Sequence, residues 1–110
     1  MRLTVIGSGD AFGSGGRLQT CFHVDVGDTT FLVDCGASAL IGMHREQLDP
    51  NEVDTILISH LHGDHFAGLV WWKIHAHHTI RRSRPLTIAG PVGLKARFDQ
   101  ACEVLFPGSS

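Results

Sequence analysis

Only three cysteines occur in the 110 residues, Cys21, Cys35 and Cys102. Their odd number, wide spacing and lack of any C-x-x-C pair argue against a disulfide framework and against a cysteine-based zinc knot, so they read as reduced, mostly buried thiols. No apolar run approaches the roughly 18 residues that span a bilayer, and Met1-Arg2 leads straight into strand-like Leu3-Thr4-Val5-Ile6 instead of a signal-peptide apolar segment. The expectation is a chain with no membrane partner and a cytoplasmic location. An excess of basic charge is missing too: nine Lys and Arg stand against eleven Asp and Glu, a formal net charge of -2, which gives nothing to attract nucleic acid nonspecifically. With 43% hydrophobic and 18% charged residues, the chain also lacks the apolar poverty of a disordered segment. No internal repeat, low-complexity tract or linker suggests a boundary. Residues 1–110 are therefore read as one domain with one core, burying roughly two-thirds of the surface of the unfolded chain.

What is abundant is histidine, eight in all, six of them from His60 to His78. The segments around them alternate between strand and helix. Leu3 to Ile6 is a short strand that ends in the glycine-rich stretch from Gly7 to Gly16. Cys21 to Val26 alternates apolar and polar residues, Gly27-Asp28 makes a turn, and Thr29 to Asp34 resumes as a strand, so the pair reads as a hairpin with one buried face. Ala37 to Arg45 is helix-compatible, Asp49 to Glu52 is a turn, and Val53 to Ser59 is a nearly continuous apolar strand expected to be buried on both faces. Phe66 to Ile80 is expected to be helical, Pro85 to Ala89 a strand, and Val92 to Leu105 a final helix. The class is α/β with at least one mixed sheet.

The chemistry sits in Ser59-His60-Leu61-His62-Gly63-Asp64-His65. Four metal-type ligands, His60, His62, Asp64 and His65, emerge within six positions at the carboxyl end of a strand, where open α/β sheets place their sites. Neutral imidazole and carboxylate suit Zn2+ and its first-row neighbours, Mn2+ and Fe2+ among them, and Gly63 is expected to let the loop bend. One such ion lowers the pKa of its water from about 15.7 to about 7, which supplies hydroxide at neutral pH, and two ions roughly 3.5 to 4 Å apart can share it. Hydrolysis is the natural reaction class.

This motif, H-x-H-x-D-H, resembles the signature of the metallo-β-lactamase superfamily, residue for residue. Leu32-Val33-Asp34-Cys35-Gly36 is similar to that family's L-[IV]-D-x-G strand end. Val5-Ile6-Gly7-Ser8-Gly9-Asp10-Ala11, Arg17 and Pro85 to Pro91 resemble its ribonuclease Z-like branch. The resemblance implies a metallo-β-lactamase fold, a four-layer αβ/βα sandwich of two similar halves, of which this chain holds the first. It implies that His60 and His62 bind one metal and Asp64 and His65 the second. Asp64 also orients the attacking water or takes its proton, and Asp34 supports the histidine loop through hydrogen bonds. The family's remaining ligands come from sequence beyond this half, so each ion has two protein ligands where a catalytic zinc usually has three. The implied function is a hydrolase using zinc-bound hydroxide, with one or two ions, on a phosphodiester or other ester, RNA included. The alternative is a noncatalytic half-domain that self-associates or pairs with a second half. An uncovered apolar sheet face favours a homodimer.

Plainer readings stand beside these. His75, His77 and His78 with Arg81, Arg82 and Arg84 read better as a solvated helix end than as an RNA patch. Trp71-Trp72 reads as packing, with at least one ring buried. The glycine-rich stretch lacks the lysine-serine/threonine ending of a phosphate loop. Asp34 alone is a common strand-end cap, and His23 is expected to point outward.

Overall fold

The structure, a computed structural model, describes residues 1–79 and 82–109. The expected helix end at Ile80 and the Arg81 of the basic stretch lie outside the described residues. Five strands form one mixed sheet in chain order: β1 (Arg2–Gly7), β2 (Cys21–Asp25), β3 (Thr30–Val33), β4 (Thr55–Leu57) and β5 (Thr87–Ala89). β1, β2 and β3 are antiparallel neighbours, and β4 and β5 continue parallel to β3. The expected hairpin is present, closed by the Val26 N–H donating to Thr29 O at 3.0 Å, with Gly27 supplying the positive φ of 98° that the turn requires.

The helices are α1 (Ala39–Arg45), α2 (Gly63–Phe66), α3 (Gly68–Ile74) and α4 (Leu94–Leu105). Successive parallel crossovers stepping the same way across a sheet, each right-handed, put their helices on one face. α1 touches α3 and α3 touches α4 accordingly. The row Thr4, His23, Leu32, Ile56 and Ile88 runs across the sheet beneath them. Leu32 and Ile56 there are fully buried, as are Met43, Leu69 and Trp72 of the helices.

The next row over, Val5, Phe22, Val33, Leu57 and Ala89, points to the opposite face. Val5 is 49% exposed and Leu57 39% exposed, and Leu3, two residues before Val5, is 58% exposed. Two expectations are corrected by this. The strand through Ile56 is covered on one face only, because among the described residues no helix crosses to the other side. His23 points inward and is buried, because in β2 the apolar members of the alternation, Phe22 and Val24, belong to the open face.

The expected helix from Phe66 starts earlier, at Gly63, breaks between α2 and α3, and passes into a wider π turn at His75–Thr79. Trp72 is buried, whereas Trp71 stands partly exposed with its ring edge-on to Phe106 at 5.8 Å between centroids. All three cysteines are free and buried. Burial, then the charge of Asp34, pushes the Cys21 thiol up to about 12, and burial raises Cys35 well above its ordinary value. Neither thiol is a nucleophile at neutral pH.

Burial holds the His23 imidazole below its ordinary value of 6.5 against the pull of Asp25 and Glu52. Burial, then the neighbouring His44, does the same to His75 against Asp49. A folded state that prefers neutral imidazole gives stability that is present above the unfolded value and is lost as pH falls below it, because the unfolded chain binds the protons first. The urea midpoint is expected to fall between pH 7.5 and pH 5.5. His23→Gln should flatten that slope; a midpoint indifferent to pH in the parent chain would sink this account.

Candidate metal centre

The carboxyl ends of β3 and β4 lie side by side, and Asp34 and Ser59 follow them. Asp34 has a positive φ of 62°, a conformation asparagine and aspartate tolerate better than other side-chain-bearing residues. Its N–H donates to Leu57 O at 2.7 Å, which ties the bend to β4. The carboxylate, 5% exposed, then accepts three donors. The Ser59 N–H donates to Oδ1 at 2.7 Å, the Ser59 hydroxyl to Oδ2 at 2.7 Å, and His65 Nδ1 lies 2.7 Å from Oδ2.

This hub dictates ring tautomers. A carboxylate only accepts, so His65 carries its proton on Nδ1 and presents Nε2 outward. Ser59 has one hydroxyl proton, given to Asp34, so its oxygen accepts from His60 Nδ1 at 2.9 Å, and His60 Nε2 is likewise turned outward. The three imidazoles form one cluster, with centroids of His60 and His65 4.0 Å apart and of His60 and His62 4.9 Å apart. Asp64 Oδ2 lies 3.3 Å from His65 Nε2. With Nδ1–H engaged by Asp34, that contact sets a ring nitrogen lone pair against a carboxylate oxygen. It becomes attractive only with a proton or a metal cation between them.

Backbone contacts lock the cluster to the sheet. Cys35 N–H donates to His65 O at 2.8 Å and Gly68 N–H to Cys35 O at 3.0 Å. A Cβ on Gly36 would meet Asp64 O and the Gln19 side chain at 2.5 Å, and one on Gly68 would run into Gly36 O. Gln19 Oε1 accepts from Ala37 N–H at 2.8 Å, and its Nε2 donates to Ala11 O at 3.2 Å, which joins the glycine-rich stretch to the site. That stretch is held by Asp10, which accepts from Phe12 and Ser14 N–H and from the Ser14 hydroxyl. The Ser14 hydroxyl bond is the main reason the Asp10 carboxyl sits below its ordinary value.

The structure thus gathers His60, His62, Asp64, His65 and Asp34 in one place. Asp64 and His65 belong to the helical turn α2, not to a loop. Gly63 is not needed for space: a Cβ there meets nothing within 4 Å, so its expected role in the bend is corrected. Sequence reasoning gave Ser59, Gln19 and Gly68 no role of their own. Ser59 beside His60 was the visible signal, but its role exists only because Asp34, 25 residues away, lies against it. His75 stands apart, paired edge-on with His44 at 6.0 Å. Arg82 and Arg84 are engaged with Asn51 O, and Arg84 also with Asp54.

The donor types and their tautomers fit a first-row divalent ion. Their number does not complete a site: among the described residues no three His, Cys, Asp or Glu side chains are arranged to hold one ion.

The comparisons decide the family. Residues 1–96 match the family described as Anti-Pycsar protein Apyc1. This chain belongs to that family. Its fold is the metallo-β-lactamase fold, of ribonuclease Z-like type. Ribonuclease Z of Borrelia hermsii is 30% identical over 104 residues, which are 94% of this chain and 33% of that protein. The crystal structure of human tRNase Z, short form, superposes with a TM-score of 0.80 at 31% identity, covering 96% of this chain and 39% of that one. Zn2+-bound PqqB from Methylobacterium extorquens shares the fold, with a TM-score of 0.67 at 18% identity over 96% of this chain and 46% of its own. The chain spans about a third of the length of the curated relatives that it matches.

Asp34→Asn leaves one oxygen to serve three donors. Zn2+ affinity is expected to fall about 10- to 100-fold, measured by chelator competition, and the imidazole 15N spectrum should lose the Nδ1–H form of His65. Unchanged affinity together with unchanged ring tautomers would show that Asp34 positions nothing.

Proposed function

We propose that this member of the Apyc1 family carries half of the catalytic centre of a metal-dependent hydrolase that acts on a phosphodiester or other ester, RNA included. The observation that carries the reading is the gathering of His60, His62, Asp64 and His65 at one strand end, with the Nδ1 atoms of His60 and His65 engaged by Ser59 and Asp34. The named activity of the ribonuclease Z relatives supports a phosphodiester substrate. In this reading His60 and His62 hold one divalent ion and Asp64 and His65 hold a second, zinc being the ion that imidazole and carboxylate suit best. Such an ion supplies Lewis acidity that brings the pKa of water toward neutrality.

The chain's own residues do the rest. Asp34 and Ser59 fix the rings with Nε2 outward. Asp64, partly exposed at the start of α2, orients the attacking water and takes its proton. The buried Cys35 and Gly36 hold α2 against the strand ends so that these groups do not reorganise as charge develops.

A second reading, a noncatalytic half that self-associates or pairs with another half, is favoured by the incomplete donor set and by the open sheet face. Activity separates the two. Under the first, the Zn2+-loaded protein hydrolyses bis(p-nitrophenyl) phosphate, Asp64→Asn lowers kcat by about 10²- to 10⁴-fold, and His62→Ala lowers both metal content and rate. Hydrolysis and metal content untouched by His62→Ala would remove the site assignment. A protein that holds Zn2+ but turns over no ester leaves the second reading standing.

A further inference from the structure

Phe12 is 90% exposed, yet its loop is firmly held. Its own N–H donates to Asp10 Oδ1 at 2.9 Å, and the same carboxylate accepts the Ser14 N–H at 3.2 Å and the Ser14 hydroxyl at 2.6 Å. The ring is therefore presented from a fixed backbone, which lowers the entropy lost when a ligand settles on it. A single exposed apolar side chain is ordinary on a protein surface. What sets Phe12 apart is where its loop is tied.

β1 is antiparallel to β2 and β2 to β3, so β1 and β3 run the same way. The loop after β1 thus emerges at the end of the sheet that carries Asp34 and the histidines. Gln19 fastens it there. Its Nε2 donates to Ala11 O at 3.2 Å, beside Phe12, and its Oε1 accepts from Ala37 N–H at 2.8 Å, beside Gly36. Gly36 is itself wedged between Gln19 and Asp64, since a Cβ on it would lie 2.5 Å from Gln19 Cβ and from Asp64 O. An open cleft of about 370 Å³ separates the loop from the start of α1, with Phe12, Gln19, Ala37 and Ile41 among its walls and Arg17 as its charged member. All of its walls come from residues between Ala11 and Ile41, so the cleft is built within the αβ layer and owes nothing to the bare sheet face. Ile41 is 54% exposed, and Arg17 enters none of the ion pairs among the described residues. An aromatic ring, an aliphatic side chain and an unpaired guanidinium on one cleft match a ligand with a flat apolar part and an anionic part. A nucleotide has both: its base stacks on an aromatic side chain whatever the sequence, and its phosphate suits the planar fork of arginine.

We propose that this cleft is a base-binding subsite beside the histidine cluster, in which a nucleobase of the substrate stacks on Phe12 against Ile41 while Arg17 takes a phosphate oxygen. This rests on the hydrolase reading above and narrows its substrate to a phosphodiester that carries a nucleoside. Phe12 is then the residue that selects the nucleoside, and Gln19 positions it by tying the loop to Gly36 and Asp64.

The test is calorimetric titration of the purified chain, with and without Zn2+, by adenosine 5′-monophosphate and by ribose 5-phosphate. The two probes share the phosphate and differ by the base, so any metal contact with the phosphate cancels in their ratio. The parent is expected to bind the nucleotide about 5- to 150-fold more tightly than the sugar phosphate. Phe12→Ala, on an exposed loop, should keep the far-UV circular dichroism, abolish that preference and leave the sugar phosphate bound as before. Phe12→Tyr should retain the preference, and Arg17→Ala should weaken both probes alike. Equal binding of the two probes by the parent, or binding of neither, overturns the proposal. So does a preference that Phe12→Ala leaves intact, or a Phe12→Ala chain that loses both probes together, which would make the ring's role structural. A preference that depends on Phe12 in a chain that holds no Zn2+ upholds the base site and removes the hydrolase reading instead.

Discussion

One buried carboxylate organises the functional end of this molecule. Asp34 accepts two donors from Ser59 and faces one ring nitrogen of His65, and through Ser59 it also sets the ring of His60. A desolvated carboxylate is costly unless its lone pairs are filled. The three donors within 2.7 Å fill them, and the requirement runs both ways: the donors are held as firmly as the acceptor. The imidazoles are therefore presented with their Nε2 atoms outward before any ligand arrives, and this preorganisation is what a metal site requires of its surroundings.

The fold supplies the position of that carboxylate. β3 and β4 are parallel neighbours, so their carboxyl ends lie together, and the residues that follow each strand meet although they are far apart in sequence. Gly36 and Gly68 let α2 and α3 come down onto the strand ends at backbone contact. The same connectivity has a cost. Crossovers stepping in one direction place every helix on one face, so the sheet is left with an apolar surface that nothing in the described residues covers. The site and the open face thus have one topological origin.

Much of the site was legible in the sequence because its residues are local. Four donors within six positions after an apolar strand need no tertiary information to be noticed, and the Leu32–Gly36 strand end carried the family resemblance that singled out Asp34. Element types were legible for the same reason, the hairpin and the long last helix most clearly. The misreadings of which sheet face is buried shared one cause. Alternation in β2 was phased on the assumption that apolar side chains face the helices, which put His23 outside. Here the apolar Phe22 and Val24 lie on the face away from the helices, and His23 is buried on the other.

The sequence by itself determined the chemistry available here: imidazole and carboxylate donors at fixed spacing, buried unreactive thiols and no strong charge imbalance. Side-chain type and local spacing are properties of the chain and survive any packing. Only the tertiary structure decided which nitrogen of each ring faces outward, that Ser59 is the link between Asp34 and His60, and which face of the sheet is bare. Those depend on hydrogen bonds and packing between segments some 25 residues apart, which no local pattern encodes.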